Sequence, residues 1–189
     1  MNDTQLLLQI VLAGAFFLVA IALDLYYHRI PNLLCLCAIF CGFAVNGYFA
    51  QLNGVLMAMA GFALAFGVLF PVFVLRVLGA GDIKLMMGIG ALMGPKLLMW
   101  SLLYGITAGA VTTLLLVLWQ VGFRGVFTTI KRYWLCVYYH VYFRPEAGEA
   151  AGQKVPYAPA LAIGWVWACS LDNQVIELYG AVQHWIGGV

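Results

Sequence analysis

The hydrophobic pattern along this chain consists of long apolar runs, and the informative positions are where those runs stop. Residues 5–23 are apolar except for Gln5 and Gln9, and the run ends at Asp24. Tyr26-Tyr27-His28-Arg29 and Ile30-Pro31-Asn32 follow as an interfacial aromatic pair, a cation and a turn. Further runs occupy residues 33–49 and 55–75, separated by the short uncharged stretch Ala50-Gln51-Leu52-Asn53-Gly54. After Gly79-Ala80-Gly81-Asp82 the chain is apolar over residues 85–93, turns at Gly94-Pro95-Lys96, and is apolar again over residues 97–119. A last run begins at Pro156-Tyr157-Ala158-Pro159 and ends near Ser170.

A helix rises about 1.5 Å per residue and needs about 20 residues to cross a hydrocarbon core about 30 Å thick. The pattern therefore predicts spans over residues 5–24, 33–49, 55–76, 97–119 and 156–170. Between 55–76 and 97–119 lies a shorter one over residues 83–93, covering only about 16 Å. Its shortness predicts either that Asp82 sits below the membrane surface or that the bilayer thins around it. The expected fold is all-α, a polytopic transmembrane bundle of about six spans forming a single domain over residues 1–189. The tail, residues 171–189, carries Asp172 and Glu177 and is expected to add a surface helix.

Composition agrees with the pattern. Of 189 residues 65% are hydrophobic and 8% charged, against roughly 25% charged in a soluble domain. The net charge of +2 and the lack of a basic stripe argue against a nucleic-acid partner. The N-terminal run has neither a basic n-region nor a small-residue cleavage site, so it is expected to be a retained span. Five cysteines, none in a C-x-x-C arrangement, read as small packing residues. His28 and His140 have no partner at metal-ligand spacing, and no cofactor is expected.

Residues 120–155 differ in kind. They hold Arg124, Lys131, Arg132, Arg144 and Lys154, interleaved with aromatics such as Tyr133, Trp134 and Tyr138. Residues 126–142 are expected to form an amphipathic helix along the membrane surface, with residues 146–153 as a soluble tip. These five cations, together with Arg29, Arg76 and Lys84, fall on one side of the predicted spans, and Lys96 alone falls on the other. The positive-inside rule then places the N-terminus outside and both Asp24 and Asp82 at the cytoplasmic border.

Of the seven acids, only Asp24 and Asp82 lie flush against apolar runs on that side. An ionisable residue at such a border is costly unless paired, wetted or neutral, which makes each a candidate functional group. Two carboxylates that can share a proton have the equipment for aspartic proteolysis: one ionised to activate water, one neutral to protonate or polarise. Gly79 and Gly81 supply a tight, close-approaching backbone beside Asp82. Arg29 reads as a positive-inside anchor, and Lys84 stands two positions from Asp82, close enough in sequence to act on its charge state. Pro31, Asn32, Pro156 and Pro159 read as helix-start devices.

Three blocks carry a family resemblance: Asp24 with Arg29-Ile30-Pro31-Asn32, then Gly79-Ala80-Gly81-Asp82-Ile83-Lys84, then Pro156-Tyr157-Ala158-Pro159-Ala160-Leu161-Ala162-Ile163-Gly164. In this order they resemble the type IV prepilin peptidases, membrane aspartic proteases of the G-x-G-D kind. The resemblance implies that Asp24 and Asp82 are catalytic and that the substrate is the leader peptide of a pilin-like precursor, cut at the cytoplasmic face of a bacterial inner membrane. Longer members carry paired C-x-x-C motifs and also methylate the product. This chain has no such motifs and looks like the short, peptidase-only members serving tight-adherence (Flp) pili. Two other readings remain open at this level: a proton-coupled carrier using the two acids as a relay, and a non-catalytic subunit of a pilus or secretion assembly.

Overall fold

The structure, a computed structural model, describes residues 3–27, 29–74, 78–139 and 157–187. His28, Arg76, His140, Arg144, the 146–153 tip, Lys154 and Pro156 lie outside the described residues. Five helices follow in order: α1 (Asp3–Tyr27), α2 (Asn32–Val74), α3 (Ala80–Tyr139), α4 (Ala158–Leu171) and α5 (Asn173–Gly187). There is no strand among the described residues, as expected for an all-α chain. Three helical stretches are long and apolar enough to cross a membrane.

Two of those stretches fold back on themselves where turns were expected. Within α2, Ala50 (φ −125°, ψ 15°) and Gln51 (φ 47°, ψ −131°) leave helical geometry and divide it into arms 32–49 and 52–74. The reversal is tight enough that a side chain at Gly54 would collide with the Asn46 carbonyl. Within α3, Gly94 takes φ 77° just before Pro95. A Cβ at Gly90 would stand 2.8 Å from Leu98 Cδ2, whereas residues eight apart in a straight helix are separated by about 12 Å. The five apolar stretches expected before residue 120 are therefore all helical and separated at the expected places, and α4 is the sixth.

The short stretch is resolved in a particular way. It starts at Ala80, three residues earlier than expected, and runs about 14 residues to Gly94, still only about 21 Å. It is also the most enclosed segment of the molecule: Asp82, Ile83, Leu85, Met86 and residues 88–93 are all buried. A helix wrapped by other helices need not match the bilayer thickness by itself.

Enclosure depends on small residues. Gly42 meets the Ala91–Leu92 backbone, Gly61 meets Gly90, and Gly164 meets Gly105 and the Ser101 carbonyl, each with no room for a Cβ. Such contacts let helix backbones approach closely where there is no hydrophobic drive between helices in lipid. Large apolar side chains such as Leu18, Leu33, Phe40, Leu56, Phe66 and Val111 face outward instead. α4 lies against α1, with Phe17 and Trp165 ring centroids 5.4 Å apart. The Gly94 turn and the start of α5 meet at one end, where Lys96 Nζ is 3.4 Å from Asp172. A cavity of about 540 Å³ at that end is lined in part by Gln5, Ala50, Gly94, Lys96 and Asp172. Asp24 is at the opposite end of α1.

The chain divides into two compact units: residues 1–108 with 156–189, and residues 109–155. In the second, the helix continues through Tyr139 with Gly122 at φ 68°. Trp119, Phe127, Trp134 and Tyr138 are exposed there, and Lys131 Nζ lies 5.1 Å from the centre of the Phe127 ring. The helix expected over 126–142 is thus present up to residue 139, and its last three residues fall outside the described set.

Candidate active site

Asp24 lies in the last turn of α1, and the chain must leave that helix through Tyr27 before α2 can start. Its side chain turns inward and is 8% exposed. Asp24 Oδ2 accepts a hydrogen bond from the Ala158 backbone N–H at 3.3 Å, joining positions 134 residues apart. Ala158 is the first residue of α4, whose own N-cap residue, Tyr157, offers no side-chain cap. The first N–H groups of a helix have no internal partner, so Asp24 caps α4 from another helix. Pro159 at the next position has no N–H to satisfy. The expected helix-start role of Pro159 is met, and it delivers the α4 N-terminus to Asp24.

Asp82 sits in the first turn of α3 and is also 8% exposed. Its Oδ2 accepts from the Gly79 N–H at 3.2 Å, while Ile83 N–H bonds back to the Gly79 carbonyl at 3.4 Å. This is one half of a capping box: the carboxylate at the third helical position reaches back to the N-cap N–H, while Gly79 has no side chain to return the bond and Ile83 makes the ordinary first helical bond. Gly79 has no room to spare, since a Cβ there would be 3.0 Å from Asp82 Oδ2. Asp82 Oδ1 is buried with no hydrogen-bond partner. The Asp24 carboxylate is near enough for its charge to act on Asp82. Two carboxyl groups, each with one oxygen held at a helix N-terminus, thus lie at one end of the first unit within electrostatic reach of each other.

The supporting residues fall around this pair unevenly. Gly81 packs on the connector between α1 and α2, where its Cβ would lie 3.0 Å from Ile30 Cβ. Pro31 precedes α2, and its carbonyl accepts from Cys35 N–H at 3.4 Å. Asn32 is the first residue of α2, and its Oδ1 accepts from Lys84 Nζ at 3.0 Å. Lys84 therefore ties α3 to the start of α2. Arg29 is exposed, as an interfacial anchor would be. Pro156 lies outside the described residues.

Sequence reasoning missed Cys35. Its Sγ–H donates to the Gly81 carbonyl at 3.6 Å, tethering α2 to the glycine turn beside Asp82. The residue is 1% exposed, and nothing in its apolar run distinguishes it from a packing cysteine. The signal for Ile30 was available, since a glycine two residues from any neighbouring element demands something close against it. Which element that would be was not legible.

Among the described residues no group of three or more His, Cys, Asp or Glu could hold a metal. What the arrangement offers chemically is a pair of buried carboxyls at a membrane end, with backbone N–H donors holding one face of each. Like charges in such proximity favour a state with one proton between them, which supplies an acid and a base together.

A helical fold with an apolar exterior and a pair of buried carboxyls at one end defines a class of polytopic membrane proteins. Within that class the chain belongs to the type IV leader peptidase family, a peptidase family whose model matches residues 11–114, more than half of the chain. That match contains both Asp24 and Asp82, while the 156–164 block lies beyond it. No curated protein and no solved structure matches the chain.

Proposed function

We propose that this peptidase removes the leader peptide from pilin-like precursors by water attack assisted by Asp24 and Asp82. The observation that carries the reading is the placement of two buried carboxyls from α1 and α3, 58 positions apart in sequence, within electrostatic reach of each other. Each is anchored through Oδ2 to a helix N-terminus, and Asp82 Oδ1 is buried with no hydrogen-bond partner among the described residues.

In this mechanism the ionised member takes a proton from water, and the water oxygen attacks the scissile carbonyl. The neutral member hydrogen-bonds to the carbonyl oxygen, then gives its proton to the departing amide nitrogen. The shared proton is restored when the product carboxyl and amine leave. Which carboxyl plays which part is a property of the coupled pair. The 79–82 turn presents an extended peptide to Asp82 with little steric cover, Gly79 being exposed.

The same reading places the site at the cytoplasmic face of a bacterial inner membrane, supported by the grouping of Arg29 and Lys84 at the carboxyl end and Lys96 at the other. Membrane lipid is the surrounding partner, and the basic aromatic segment 120–155 suits the headgroup level of the inner leaflet. The absence of C-x-x-C motifs favours a short, Flp-type enzyme without methyltransferase activity. The test is to incubate purified protein with a candidate precursor and determine the product N-terminus by sequencing and mass. Cleavage just before the precursor's apolar helix, with an unmethylated amine, is expected. An intact precursor across several candidates, or a methyl group dependent on this protein, would contradict the respective part of the proposal.

A further inference from the structure

Asn46 lies in the apolar arm 32–49 of α2, only 6% exposed, and every hydrogen-bonding position of its amide is used. The two N–H groups of Nδ2 are shared among three carbonyls within hydrogen-bond distance, Ala91 at 2.8 Å, Leu92 at 3.0 Å and Gly42 at 3.1 Å. Oδ1 accepts from Gln9 Nε2 at 3.0 Å and Gln5 Nε2 at 3.2 Å.

One of the two α3 carbonyls it serves has no helical partner available. In an α-helix a carbonyl is met by the N–H four residues on. For Ala91 that residue is Pro95, which has no N–H. The Leu92 carbonyl lies beside it, just before Gly94 at φ 77°. A backbone carbonyl orphaned at membrane depth is strongly unfavourable, and Asn46 removes the difficulty for Ala91. The enclosed helix can therefore stop short of the far surface.

On its other side the same amide holds Gln5 and Gln9, one turn apart on α1. The two helices gathered at Asn46 are thus the two that carry the carboxyl pair. From Gln9 to Asp24 α1 runs about 22 Å, and from Ala91 back to Asp82 α3 runs about 14 Å. Helices of this length transmit an axial slip at one end to the other.

We propose that Asn46 is a positioning residue for the carboxyl pair: it fixes the axial register of α1 against α3 and so sets the separation of Asp24 from Asp82. The proposal rests on the reading of those two residues as the catalytic pair. It makes Gln5, Gln9 and Asn46 a remote part of the same site, at the end of the bundle opposite the carboxyl pair.

The test compares Asn46→Asp and Gln9→Leu with the parent enzyme in precursor cleavage across pH, with rates expressed per folded molecule. Asn46→Asp keeps shape and the acceptor for both glutamines but cannot donate to Ala91 and Leu92 together. Gln9→Leu is milder, leaving every bond to α3 and loosening only α1. A misplacement near 1 Å can lower kcat by about 100-fold. Asn46→Asp is therefore expected to lose at least about 10-fold in kcat with KM little changed, and Gln9→Leu a smaller factor in the same direction. The two limbs of the pH–rate profile should also draw together, because carboxyls held less closely share their proton less strongly. A merely structural amide would lower the yield of folded protein and leave kcat and the shape of the profile per folded molecule at parent values, and that result in Gln9→Leu and in whatever Asn46→Asp folds overturns the proposal. Asp82→Asn is assayed alongside. If it cleaves, the reading of the pair fails on its own account, independently of anything Asn46 does.

Discussion

Both candidate carboxyls are positioned by the same local device, a hydrogen bond from a helix N-terminus to one carboxylate oxygen. For Asp82 this was partly legible, because a carboxylate three positions after a glycine and opening an apolar run fits a helix start. For Asp24 it was not, since its donor, Ala158, is 134 residues away. The partner of Lys84 was equally hidden: its ammonium bonds Asn32, 52 residues away. The glycines of the turn are where residue-scale prediction is sharpest. At Gly81 a methyl would stand 3.0 Å from Ile30 Cβ, so Gly81→Ala requires the connector to give by a few tenths of an ångström and Gly81→Leu cannot be accommodated. We expect Gly81→Leu to lower precursor cleavage by about 100-fold through displacement of Asp82, with the protein still inserted at normal levels in membranes. Parent-level cleavage by that variant would mean that the turn does not position the carboxyl.

At the scale of elements, the apolar runs and the turns between them were readable because each run ends in residues that lipid excludes or helices avoid. Gln51 in its left-handed conformation and Gly94 before Pro95 both fall inside stretches read as turns. What the runs did not reveal is which of them is interior. Past Lys84 the 85–93 stretch is apolar like its neighbours, and periodicity cannot separate a lipid-facing helix from an enclosed one when both are hydrophobic all round. Its glycines were the available hint, since Gly88 and Gly90 serve close packing rather than turning. The same logic applies where α4 crosses α3. A Cβ at Gly164 would collide with the Gly105 backbone, so no side chain can be housed without parting the helices. Gly164→Leu should lower the thermal unfolding midpoint in detergent by several degrees or prevent folding, as overpacking typically costs about 1–3 kcal/mol or more. A melting profile equal to that of the parent would show that α4 is not seated as described.

For the whole molecule, the structure separates two ends of the first unit. One holds Asp24, Asp82, Arg29 and Lys84; the other holds Lys96, Asp172, the 50–51 turn and the Gly94 turn. The sequence reading reached that partition through cation counting alone, because charge placement is enforced by membrane insertion independently of packing. Reporter fusions at residues 29 and 80 should report the cytoplasm, and fusions at 52 and 95 the opposite side. A fusion at residue 80 active only on the outer side would contradict the topology and the shared site together.

The account stands or falls on whether Asp24 and Asp82 act as one unit, and cleavage of a precursor by Asp24→Asn, Asp82→Asn and the double variant measures this directly. Asn preserves size and can still accept the hydrogen bonds from Ala158 and Gly79, so insertion and protein levels should hold. Each single variant is expected to lose nearly all activity, by at least about a thousand-fold, and the double variant to be no worse than either, because members of a catalytic unit are strongly non-additive. The parent enzyme should show a bell-shaped dependence of rate on pH, falling at low pH as the base is protonated and at high pH as the acid loses its proton. Substantial cleavage by either single variant at normal protein levels, or losses that multiply in the double variant, would contradict a shared-proton pair.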